Sequence, residues 1–67
     1  MIPLHPVAQV AKERLMWLPQ RHRTPDALRA LVRLYAGTQG LGDAATIEAL
    51  HAEAERAVPA WAWAGRR

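Results

Sequence analysis

Apolar residues recur along this chain in three blocks at helical spacing, and no block alternates as a strand would. In the first, Val7, Val10, Ala11, Leu15 and Leu18 make one stripe, with Gln9, Lys12 and Glu13 lying off it. In the second, Leu28, Leu31, Val32 and Tyr35 stand at i, i+3, i+4 and i+7, the face of an amphipathic helix. In the third, Ile47, Leu50, Ala54, Ala57 and Val58 share a side with His51.

The residues between the blocks set their limits. Pro6 suits the first position of a helix, where a missing N–H leaves nothing unpaired, and Pro19 stops the helix that follows. Thr24-Pro25-Asp26 combines an N-cap hydroxyl, a first-position proline and an acid at the positive helix end. Gly37 is placed to end the second helix in a left-handed conformation. Asp43 is an N-cap for the third, and Pro59 ends it. These signals predict an all-α single domain with helices over roughly residues 6–18, 25–36 and 44–58. An extended lead-in (1–5) precedes them, a Trp-containing C-terminal tail (59–67) follows, and the simplest arrangement is up-down-up.

Some large apolar residues do not fit these stripes. Met16 and Trp17 lie off the first, Leu34 lies off the second, and Trp61 and Trp63 sit in the tail. Each either closes over a small core or waits for another chain, and tryptophan suits the second role because it buries a large area at small entropic cost.

Length and charge sharpen the picture. A chain of 67 residues is near the lower limit for folding alone, so a partner protein or self-association as an oligomer is expected. There is no Cys, hence no disulfide and no thiolate metal site; a reducing, cytoplasmic setting follows. The net charge of +3 is uneven. Lys12, Arg14, Arg21, Arg23, Arg29 and Arg33 against Glu13 and Asp26 give the first 36 residues +4, and the remainder carries −1. The basic half is suited to an acidic surface.

Several functional classes fit poorly. A helix-turn-helix reader needs Arg, Lys, Asn or Gln on its recognition helix, whereas the third helix offers Glu48, Glu53 and Glu55 behind Asp43. Gly37-Thr38-Gln39-Gly40 has the letters of a phosphate-clamping GXXG loop, but it lacks the basic residues and the sheet that go with one. Serine and cysteine nucleophiles are both missing, so no catalytic residues are assigned and an enzyme is not expected. His51 and Glu55, one turn apart, read as a surface hydrogen bond rather than a metal pair, and no cofactor or metal is expected. No run reaches the roughly 18–20 apolar residues of a membrane span. The first residues lack the charged-then-apolar pattern of a signal peptide, and membrane anchoring through Trp61, Trp63, Arg66 and Arg67 is disfavoured.

The expectation is therefore a non-enzymatic protein-binding module: a small adaptor, accessory subunit or inhibitor acting by occupying a partner macromolecule. A phage- or mobile-element-encoded inhibitor fits the size. The partner would present an acidic surface or a groove, met by Met16, Trp17, Arg21, Arg23, Arg29, Arg33, Trp61 and Trp63. The alternative is a small basic nucleic-acid-binding protein using Arg21, Arg23, Arg29 and Arg33.

Overall fold

The computed structural model describes residues 3–65. The first two residues of the expected lead-in, and Arg66 and Arg67 of the tail, lie outside them. The fold is three α-helices, α1 (Pro6–Met16), α2 (Pro25–Thr38) and α3 (Ala44–Ala57). Two short 3₁₀ turns, Gln20–His22 and Ala60–Ala62, follow α1 and α3. There is no strand among the described residues.

Each helix begins on a side-chain cap. The Thr24 hydroxyl accepts from the Ala27 N–H at 3.1 Å, with Pro25 in the first turn. Asp43 Oδ2 accepts from the Thr46 N–H at 3.0 Å and from its hydroxyl at 2.8 Å. Those bonds to Thr46 hold the Asp43 carboxyl below its usual value of 3.8. The stabilisation from this cap is therefore present above about pH 4 and is lost as pH falls through the lowered value. At α1 the cap is unexpected: His5 Nδ1 accepts from the Val7 N–H at 3.1 Å. The His5 backbone N–H in turn donates to Glu53 Oε1 at 2.9 Å.

The helix ends correct the predicted bounds in two ways. α1 stops at Met16 rather than near 18, because Pro19 drives the residue before it out of helical geometry. By the same rule Val58, before Pro59, is extended with ψ 125°, and α3 ends at Ala57. α2 runs past the expected Gly37 cap to Thr38. The left-handed residue is Gly40 instead, with φ 73°. Leu41 N–H donates to Ala36 O at 2.8 Å and Gly40 N–H to Gly37 O at 3.2 Å. This is the paired closure of a Schellman motif.

The core is built from close approach as much as from bulk. Ala8, Ala11, Ala36, Ala54 and Ala62 are wholly buried, as are Leu15, Leu28 and Val32. Val7, Ile47, Leu50 and Val58 complete it. α2 and α3 form an antiparallel hairpin, fixed by Arg29–Glu48 at 3.3 Å and by buried His51, whose Nε2–H donates to Pro25 O at 3.1 Å. α1 packs against both helices of this hairpin. Its start is tied to Glu53 in the third turn of α3, and its end meets the segment after α3.

That second junction is made by one side chain. Arg23 Nε donates to Leu18 O at 3.0 Å, one terminal nitrogen to Met16 O at 3.1 Å, and the other to Ala62 O at 3.4 Å. Its own carbonyl accepts from the Ala64 N–H at 2.9 Å. Gln20 Nε2 adds bonds to Trp61 O at 3.0 Å and Trp63 O at 3.2 Å. The tail therefore folds back over the end of α1, burying Ala62.

Two predictions follow from these contacts. Nothing lies within 4 Å of a Cβ built on Gly37, so Gly37→Ala should stabilise by about 0.5–1 kcal/mol. Gly40→Ala, at positive φ, should cost about 1–2 kcal/mol. Urea denaturation of the two variants should move in opposite directions. Arg23→Ala should cost about 2 kcal/mol through lost charge-assisted bonds, and hydrogen exchange at the Ala64 amide should accelerate. Arg23→Lys should not restore either, since an ammonium cannot reproduce the three-way fork.

Candidate functional site

The side chains expected to meet a partner divide into those turned inward and those left outside. Met16 packs against the core, and so does Trp63. Trp17 is 71% exposed, Leu34 58% and Trp61 65%. The tail thus splits its two tryptophans, because its backbone enters a 3₁₀ turn rather than an extended strand that would put both on one side.

The four arginines divide as well. Arg21 and Arg33 are exposed. The Arg23 guanidinium is directed at the protein's own carbonyls. Arg29 pairs with Glu48 in the one ion pair among the described residues, and its Nε is buried without a hydrogen-bond partner. Among the first-half arginines, Arg14, Arg21 and Arg33 are the exposed ones.

Two tryptophans come to one end of the molecule. Trp17 follows Met16 and Trp61 precedes Ala62, and the carbonyls of Met16 and Ala62 are held by the same guanidinium. Trp17 is also partnered by Arg14, whose Cζ lies 4.1 Å from the ring centroid. That distance is a cation–π contact.

A hollow of about 340 Å³ opens between the start of α1 and the end of α2. Val7, Val10, Tyr35 and Leu41 give it an apolar lining, with His5, Thr38 and Gln39 at its polar edges. A second, about 400 Å³, lies by Arg23, Thr24, Glu55 and Trp63, under the folded-back tail. Arg14 is absent from the expected contact residues; its i, i+3 spacing from Trp17 is the sequence signal that could have brought it in. The hollow was not readable, because it depends on how far α2 runs and where Leu41 lands.

No three His, Cys, Asp or Glu side chains among the described residues gather to hold a metal ion. The expected His51–Glu55 surface hydrogen bond is replaced by the buried His51–Pro25 bond, because the α3 face carrying His51 is the one packed on α2. The arrangement offers exposed apolar side chains, exposed cations and one apolar hollow, chemistry suited to contact with another surface.

The exposure of the tryptophans predicts their thermodynamic weight. Trp17→Ala and Trp61→Ala should each change unfolding free energy by less than about 1 kcal/mol. Trp63→Ala should cost about 1–2 kcal/mol. Chemical denaturation followed by circular dichroism separates the cases, and an equal loss at all three positions would show that Trp17 and Trp61 serve the core.

No protein-family model, curated protein or solved structure matches the chain.

Proposed function

We propose that this chain is a non-enzymatic protein-binding module, an adaptor, accessory subunit or inhibitor that works by covering part of a partner protein. One observation carries the reading. Trp17, Leu34 and Trp61 stand largely exposed on a domain whose core closes without them. Large exposed apolar side chains on so small a surface favour burial by another chain, and tryptophan is among the strongest interface anchors. Arg14, Arg21 and Arg33 around them would speed encounter with an acidic partner and select its orientation. A chain without cysteine suits a reducing compartment, and we place it in the cytoplasm.

Nucleic-acid binding is the competing class. It was expected to use Arg21, Arg23, Arg29 and Arg33, and the hydrogen bonds of Arg23 and the Glu48 pairing of Arg29 leave that set weaker than the sequence implied.

Capture with the tagged full chain from native lysate, identification by mass spectrometry and calorimetry with the purified partner together test the proposal. Trp17→Ala or Trp61→Ala should weaken binding by at least about tenfold, with modest dependence on salt. If the captured material is nucleic acid alone, with affinity collapsing between low and moderate salt and unaffected by either tryptophan change, the proposal is wrong.

A further inference from the structure

The flank of α1 that borders α2 carries a further pattern. Val10, Arg14 and Trp17 stand at i, i+4 and i+7 and so lie along one line of the helix. Val10 forms a wall of the hollow between α1 and α2. Arg14, one turn or about 6 Å further on, is held over the Trp17 ring. Across the seam, exposed Leu34 sits one turn before Thr38, which borders the same hollow. An apolar socket, an apolar shoulder and an oriented cation therefore adjoin one another.

The charges on this side are specific. Glu13 is turned back onto Gln9, with Gln9 Nε2 donating to Glu13 Oε2 at 2.6 Å. Arg14 meets no carboxylate among the described residues. The indole holds the guanidinium over its ring at 4.1 Å, and Arg14 stays exposed to solvent there. An arginine held this way is prepared for two parallel hydrogen bonds to a carboxylate. A phosphate would satisfy the guanidinium equally well but has nothing to place in the socket.

We propose that the α1–α2 seam binds an acidic amphipathic helix of a partner protein. One bulky apolar side chain of that helix enters the hollow at Val10 and Tyr35. An Asp or Glu three or four residues away, on the same face of the ligand helix, meets Arg14. Leu34 covers the apolar side of the ligand. This rests on the protein-binding reading above and adds to it the site and the chemistry of the partner.

The probe is a phage-displayed library of 16-residue helical peptides with the positions on one face randomised, selected on the full chain. Enriched peptides should carry a bulky apolar residue and an acid one turn apart. In fluorescence anisotropy an enriched peptide should lose at least tenfold in affinity for Arg14→Glu. Replacing its acid by Lys should restore binding to that variant, a swap that a purely structural role for Arg14 would not produce. Val10→Arg, which fills the socket, should abolish binding, and Leu34→Glu, on an exposed position that does not disturb the core, should weaken it. Trp61→Ala should leave it unchanged.

Enrichment of basic peptides, or of none, would overturn the assignment, as would indifference to Arg14→Glu. So would sedimentation showing a dimer that Arg14→Glu dissolves, since a second copy would then fill the seam. Binding of a captured partner that survives Arg14→Glu and Val10→Arg, but is lost on Trp61→Ala, removes this site while leaving the broader function standing. Loss of the broader function is read separately, from the capture experiment.

Discussion

The guanidinium of Arg23 is the constraint on which the shape of this protein depends. Three segments, the end of α1, the linker and the tail, present carbonyls with no helical N–H to receive. One planar cation meets all three, through Leu18, Met16 and Ala62. Because each bond has a charged donor, the set outweighs what the same number of neutral bonds would give. The helices bury their stripes by ordinary packing. What turns three helices and two connections into one surface is this polar junction, and it places two exposed tryptophans at one end.

This division of labour explains how a closed core and exposed aromatic residues coexist in a short chain. The interior is filled by alanines and a few aliphatic residues, so the aromatic residues are not all needed there. Trp63 seals the tail, while Trp17 and Trp61 remain outside. The arginines divide in the same way. Arg23 and Arg29 bind within the molecule, whereas Arg14, Arg21 and Arg33 face outward. Residues of one type thus serve opposite ends, decided by which backbone groups lie within reach.

Much of the fold was legible in the sequence because it rests on local rules. The apolar period located the helices. Thr24 and Asp43 marked two starts, and the prolines marked two ends to within a residue or two. Gly37 misled because two glycines lie three apart and only tertiary packing decides which adopts positive φ. His5 was not expected as a cap, since histidine seldom fills that place, and its role depends on the distant Glu53. The expected contact residues were only partly legible. A position off the stripe left Met16 and Trp17 equally open to either outcome, and Met16 turned inward while Trp17 stayed exposed; the inward turn of Arg23 depends on carbonyls from residues up to 39 apart in sequence, which no local pattern encodes.

The alanines in the core have a consequence for how this sequence can change. Where helices meet through methyl groups, little volume remains to be removed, so truncation at Ala8, Ala11, Ala36, Ala54 or Ala62 has only glycine to offer. Growth is another matter, because any added carbon must push two backbones apart, and packed interiors yield to that only by shifting whole elements. Drift toward larger residues is therefore closed at these five positions, while the exposed sides of the helices stay open to it. A lineage carrying this fold can revise its outer surface far more readily than how it is held together.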